Sequence, residues 1–347
     1  MTENRIESPR LIMGKGALER IPLLCEDMGV KRPFIVTGPR TINLAAQKIK
    51  SLLSLDERSM TVIGHGQVNA MLIQRLLKTV ESNDMIIAVG GGRIIDAGKV
   101  LGANKHFMAV PTALSNDGLV SPFCSIRTND HVYSMRGKVP DLLVIDADVV
   151  LSAPERLWAA GFADLLSKKS SHYDWRLAAE RGLEKFDPYA ADFVEAVGDS
   201  CLTGHHPFFT HGIGRMTFMV SNILISGLAT LMHGSTRPVS GSEHKIAHRL
   251  YQLNPDGVLH GELVALGTIC SLYLQEQDWE AAAGVLKRAG APITAAELGI
   301  SDDLMIEALS TATKIRPERH TVLEERKVGR RDAVQILKRV GILRRNS

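Results

Sequence analysis

Between residues 33 and 145, short apolar runs alternate with segments of helical spacing. The runs fall at 33–37 (PFIVT), 60–63, 85–89 (MIIAV), 107–110 and 142–145, and helical spacing occupies 45–55, 70–82 and 94–101. Few folds accommodate that order. Parallel strands need a crossover long enough to hold a helix, and strands apolar on both faces must be covered on both sides. The alternation therefore predicts an α/β N-terminal domain with a mostly parallel sheet. After Ser152-Ala153-Pro154 the strand signal stops, and there Ser152 can cap a helix with Pro154 in its first turn. Helical spacing then covers 155–185, 189–201, 214–232, 242–252, 260–275, 278–288 and 302–314. The expectation is an α/β domain over residues 1–153, followed by an all-helical C-terminal domain over residues 154–347.

Composition narrows the class of function. A net charge of +3 over 347 residues leaves no electrostatic footprint for nucleic acid. The one dense basic run, Lys338 to Arg345, reads as a solvated helix end. Cys25, Cys124, Cys201 and Cys270 are far apart and form no CxxC, which suits a reducing cytoplasm. MTENRIESPR has no apolar core of the signal-peptide kind, and the apolar stretch from Met216 to Met232 is interrupted by polar residues. That stretch is expected as a buried helix, so no stable membrane insertion is predicted.

Three regions carry residues suited to chemistry. MIIAV runs into Gly90-Gly91-Gly92 and out into a helix. Glycines admit close approach of a ligand, and a helix N-terminus favours phosphate. The spacing GGGRIIDAGK is not GxGxxG; a plain strand-to-helix turn fits it as well, with Asp96 and Lys99 as a surface pair. The second region, 111–125, gathers Thr112, Ser115, Asn116, Asp117 and Ser121 after a predicted strand, where open α/β sheets bind ligands. Asp117 suits either a turn cap or an acceptor for substrate hydroxyls. In the third, His244 and His248 share a helix face, and His260 follows an Asn-Pro-Asp-Gly turn that can bring it back toward His244. Imidazoles with a carboxylate make an open metal site, although ordinary core or surface histidines show the same spacing. Asp164, alone on its helix, reads equally well as a cap or surface group.

Six motifs occur in order: GGGRIIDAGK (90–99), PTALSNDGLVSP (111–122), GFADLLSK (161–168), STRPVSGSEHKIAH (235–248), LHGELVALGT (259–268) and IRPERHTVLEE (315–325). Together they resemble the archaeal type of sn-glycerol-1-phosphate dehydrogenase, within the iron-dependent alcohol dehydrogenase and dehydroquinate synthase-like superfamily. The resemblance implies a divalent metal, zinc above all, on Asp164, His244 and His260. Lys168 stands where iron-dependent relatives carry the histidine of DxxxH, so a three-residue site is expected. His248, Asp117 and Asp164 are implied to contact substrate. Gly90, Gly91, Gly92, Arg93, Ile94, Thr112, Ala113, Leu114, Ser115 and Ser121 are implied to hold NAD or NADP.

The reaction implied is the reversible reduction of dihydroxyacetone phosphate to sn-glycerol 1-phosphate, which feeds glycerophospholipid backbone synthesis. Arg237, just ahead of the metal helix, is expected at the substrate phosphate, although a surface arginine fits it equally. Gly38-Pro39-Arg40 offers no carboxylate after its strand, which admits NADP with Arg40 near its 2′-phosphate; both cofactors are expected. A cytoplasmic homo-oligomer with a small-molecule substrate completes the expectation. The competing readings are a glycerol or other polyol dehydrogenase, a dehydroquinate synthase-like lyase, and a metal-binding protein without enzymatic activity.

Overall fold

The apolar runs of the first half pair as parallel strands. The computed structural model describes residues 8–64, 68–128, 131–203, 206–253 and 257–344. Strands β1 (Arg10–Gly14), β2 (Pro33–Thr37), β3 (Met60–Val62), β4 (Met85–Gly90) and β5 (His106–Pro111) precede a hairpin of β6 (Phe123–Thr128) and β7 (His131–Arg136); β8 (Leu142–Asp146) follows. The sheet has the order β1-β8-β5-β4-β2-β3, with every neighbour parallel. β2, β4 and β8 are buried along their whole lengths, which is why they read as unbroken apolar runs. Helices α1 (Ile21–Asp27), α2 (Gln47–Leu52), α3 (Ala70–Thr79), α4 (Gly92–Leu101) and α5 (Ala147–Val150) complete this part of the chain.

β1 and the antiparallel hairpin lie outside the predicted strands. β1 is an edge strand that buries only Ile12 and exposes Leu11 and Met13. It therefore lacks the continuous apolar signature of a central strand.

The remaining chain is helical. In order come α6 (Glu155–Leu166), α7 (Lys168–Glu180), α8 (Pro188–Leu202), α9 (Gly212–His233) and α10 (Ser242–Leu253). Then follow α11 (His260–Leu274), α12 (Trp279–Arg288), α13 (Asp302–Thr311), α14 (Val322–Arg326) and α15 (Arg330–Arg339). The single helix expected over 155–185 is interrupted at Ser167. There the Asp164 carbonyl accepts hydrogen bonds from Ser167 Oγ (2.6 Å) and Lys168 Nζ (2.8 Å), side chains that compete with the regular ladder.

The chain forms two units: Met1–Pro154 with His211–Leu231, and Glu155–Thr210 with Met232–Ser347. This grouping differs from the expected boundary at 153/154, because α9 belongs with the first unit rather than with the helical part. Gly227 of α9 lies against Val120, where an added Cβ would stand 2.1 Å from Val120 Cγ2, and Thr230 Oγ1 is 3.4 Å from Ser121 Oγ. Spacing alone shows that α9 has an apolar face but not which partner covers it. α9 is also long and apolar enough to cross a membrane by length and composition, yet about half of that window is buried inside the structure.

In the second unit, α11 meets two helices backbone to backbone. A Cβ on Gly261 would lie 2.0 Å from the Ala160 carbonyl oxygen of α6, and one on Gly267 would lie 2.3 Å from the Glu243 carbonyl oxygen of α10. Gly267→Ala supplies a better helix former, worth about 1 kcal/mol, but sets a methyl group against a backbone atom that no rotamer relieves. The clash prevails, so we expect a net loss of about 1–3 kcal/mol in urea unfolding. Gly284 of α12 has open space where its Cβ would point. Alanine there is the control and adds about 0.5–1 kcal/mol. An unchanged midpoint for Gly267→Ala refutes this account of the packing.

Candidate active site

Asp164 on α6, His244 on α10 and His260 at the start of α11 bring one donor atom each to within 4.8 Å of one another. His244 Nε2 is 3.5 Å from Asp164 Oδ1. Two donors about 2.1 Å from one ion at a tetrahedral angle stand about 3.4 Å apart, so this spacing fits a shared cation. His248 joins the group, its ring centroid 6.1 Å from that of His244 and 5.7 Å from that of His260.

The surroundings aim these donors. Glu243 is fully buried and accepts from His244 Nδ1 (2.7 Å), Gly241 N (2.6 Å) and Ser170 Oγ (2.8 Å). A carboxylate can only accept, so Nδ1 carries a proton, and a cation held with Asp164 would take the place of the proton that Nε2 shares with it. Burial disfavours the His244 cation, but hydrogen bonds to Asp164 and Glu243 outweigh it and raise its pKa. Burial would likewise raise Asp164, yet the Lys168 ammonium, 3.3 Å from Oδ1, and the nearby imidazoles hold it well below the carboxylate range. His260 keeps one side open to solvent while its crowded ring is pushed down to about 4, chiefly by burial. Its helix is fixed by Glu262, which accepts from Leu259 N (2.8 Å) and pairs with Arg156.

Burial also depresses His248 well below its ordinary value, assisted by the positive charge of Arg316. His248 is therefore neutral near pH 7. Asp174 holds the segment before His244, accepting from Ser242 N (2.6 Å) and from Val322 N (2.8 Å). Burial and the neighbouring Glu243 raise Asp174 to about 6.

In the first unit, β4 and β5 end side by side, with Gly90 in register with Pro111 and Thr112 N donating to Gly90 O. The loops after them are thus adjacent. Gly92 lies under the Asn116 amide, where a Cβ would come within 2.3 Å of Nδ2, whereas a Cβ on Gly91 would meet nothing within 4 Å. Gly91 is the open point of the cradle, and the first turn of α4 presents its amides there. Thr112, Ala113, Leu114 and Ser121 are buried beside it, and Ser115 and Asp117 are half-buried. Arg93 is partly buried, with Nη2 3.5 Å from Ile63 O, and Ile94 packs under Gly90.

The family of iron-containing alcohol dehydrogenases matches residues 12–154. Glycerol-1-phosphate dehydrogenase (NAD(P)+) of Methanocorpusculum labreanum is 36% identical over 325 residues, covering 92% of this chain and 90% of the relative. The enzyme of that name from Thermoplasma acidophilum is 36% identical over 338 residues, covering 95% and 96%. The chain belongs to the glycerol-1-phosphate dehydrogenase family. Among solved structures, a probable glycerol dehydrogenase from Sinorhizobium meliloti superposes with a TM-score of 0.77 at 22% identity, covering 97% of this chain and 98% of the other. Sulfoacetaldehyde reductase from Bifidobacterium kashiwanohense, in complex with NAD+, gives 0.71 at 14% identity, covering 98% and 99%. These two share the fold.

Within the family fold, two expectations for single residues change. Arg237 is 3% exposed, and its guanidinium pairs with Glu184 and donates to the Ser240, Asp174 and His320 carbonyls. It is a structural bolt, withdrawn from any substrate phosphate. Lys99 is no surface group: fully buried, it donates to Gly118 O (2.5 Å) and Phe123 O (2.7 Å) and pairs with Asp96, pinning the loop that holds Asp117. Helical spacing does not single out Glu243, which directly precedes His244 in SEH, or Glu262, two residues after His260 in HGE. An acidic residue next to a metal-binding histidine is the signal that could have found them.

Glu243→Gln keeps the shape but removes the charge behind His244, so metal affinity should fall about 10–100-fold with helix content unchanged, measured by chelator competition. Affinity equal to the parent refutes that role. Because His244 has a raised pKa, an incoming ion must displace its proton. The same measurement should show affinity falling about tenfold per pH unit below that pKa and levelling above it. A flat profile refutes it.

Proposed function

We propose that this chain is a metal-dependent glycerol-1-phosphate dehydrogenase, reducing dihydroxyacetone phosphate to sn-glycerol 1-phosphate with NADH or NADPH, reversibly. The reading is carried by Asp164, His244 and His260 converging in a chain 36% identical to a relative of that activity over 92% of its length. The product is the backbone of glycerophospholipids. We assign the unit of Met1–Pro154 with His211–Leu231 to the nicotinamide cofactor and the unit of Glu155–Thr210 with Met232–Ser347 to metal and substrate. Two imidazoles and one carboxylate suit zinc, the ion we assign. Four free, buried cysteines support a cytoplasmic setting. A homo-oligomer accords with the exposed Leu11 and Met13 on edge strand β1.

The ion, when bound, supplies Lewis acidity toward the substrate oxygen on which negative charge develops. The protein supplies position and protons. Gly90–Ile94 and the buried wall of 112–115 with Ser121 orient the nicotinamide for hydride transfer to C2. Lys168, at the sequence position where iron-dependent relatives carry a fourth ligand, donates to Asp164, so Asp164, His244 and His260 would hold the ion. Neutral His248 has one N–H and one lone pair, so it can relay a proton between the C2 oxygen and solvent. Asp117 is assigned to hold a substrate hydroxyl. Arg40 is exposed and no carboxylate follows β2 in Gly38-Pro39-Arg40, in keeping with use of both cofactors.

Purified, metal-loaded protein should oxidise NADH and NADPH with dihydroxyacetone phosphate, far faster than with dihydroxyacetone, and chiral analysis should return sn-glycerol 1-phosphate. Equal turnover of the unphosphorylated ketone points to a polyol dehydrogenase. The absence of any net change in nicotinamide absorbance sinks the reading.

A further inference from the structure

Three arginines surround Ser240, four residues before the proposed ligand His244, and they differ in one respect. Arg237 has Glu184 as counter-ion. Among the described residues, no carboxylate lies within ion-pair distance of Arg316 or Arg319. Both are held in place: Arg319 donates to Ser240 O (2.8 Å) and Thr236 Oγ1 (3.2 Å), and Arg316 donates to Ser240 Oγ (3.3 Å). Among the described residues, most of their N–H groups have no acceptor and can serve a ligand. Burial and the neighbouring cations lower Arg319 to about 9, and burial lowers Arg316. Clustered, desolvated cations of this kind are costly unless an anion offsets them.

The segment carrying them is built rather than incidental. Lys245 Nζ donates to Arg319 O (2.9 Å), Arg237 Nη2 to His320 O (2.8 Å), and Val322 N to Asp174 Oδ1 (2.8 Å). Arg316 is held at φ 46°, a left-handed conformation that is uncommon for a non-glycine residue. The positive charges of both arginines depress His248, and that of Arg316 also reaches His260. Through Ser240, which lies four residues before His244, the pair is tied to the segment that leads into the helix of the imidazole group.

We infer that Arg316 and Arg319 bind the phosphate of a small phosphomonoester substrate, steadied by Ser240 and Thr236. Forked guanidinium groups match a phosphate dianion. The inference rests on the proposed function for the identity of that substrate. A second source of the same chemistry is the 2′-phosphate of NADP; the link through Ser240 to the helix of His244 favours the substrate.

The test uses the metal-loaded enzyme and Arg316→Ala, whose parent side chain makes one hydrogen bond among the described residues, with Arg319→Lys as a second variant. The ratio of kcat/KM for dihydroxyacetone phosphate over dihydroxyacetone should fall about 10–100-fold. Inhibition by inorganic phosphate should weaken in parallel, metal content should match the parent, and NADH and NADPH should be affected alike. An unchanged ratio in both variants overturns the inference, as does a loss confined to NADPH. Should the parent reduce neither ketone, the proposed function fails and calorimetric titration of inorganic phosphate decides alone. Binding to the parent that Arg316→Ala abolishes then supports the phosphate site, and equal binding overturns it.

Discussion

Helix α11 rests on two other helices without side chains in between, and the arrangement of the site follows from that closeness. Gly261 abuts a carbonyl of α6 and Gly267 a carbonyl of α10, so the helices bearing Asp164, His244 and His260 approach further than any residue with a Cβ would allow. Three donor atoms within 4.8 Å leave little tolerance, because a shift of about 1 Å already spoils a coordination geometry. The same contact makes α11 almost entirely buried and explains its lack of a polar face.

Burial on that scale traps charge. Asp164, Lys168, Asp174 and Glu243 are all withdrawn from water, and each is answered by a donor or acceptor. Such pairs are a weak source of stability, since desolvation consumes most of the Coulomb gain, but removing one partner leaves an uncompensated charge. Their effect here is orientation. Glu243 sets the tautomer of His244, Lys168 occupies one side of Asp164, and Asp174 ties the start of α10 to the start of α14. Arg316 and Arg319 depart from this pattern, and the departure gives them their interest.

The first unit solves a different problem, the approach of a ligand to bare backbone. Adjacent ends of β4 and β5 place the glycine turn beside the 112–121 loop, and buried Lys99 fixes that loop through carbonyl oxygens rather than through a salt bridge alone. The lysine looked like a surface partner of Asp96 because spacing reports which residues share a helix face, not what lies over it. α9 misled in the same manner: an apolar stripe states that a cover exists but not which unit provides it.

The sequence by itself determined the layout. Unbroken apolar runs separated by helical spacing call for a covered parallel sheet, and six ordered motifs carry the family resemblance that implies Asp164, His244 and His260 as one group. Both are properties of neighbours along the chain, where periodicity and motif order are written directly. The tertiary structure alone decided which charges are satisfied. Arg237 and Arg316 are both arginines near the metal helix, and nothing local separates them; one meets Glu184 and three carbonyls, the other, among the described residues, no carboxylate. That difference arises from segments far apart in sequence, because a buried charge is governed by whatever the fold brings within about 4 Å of it.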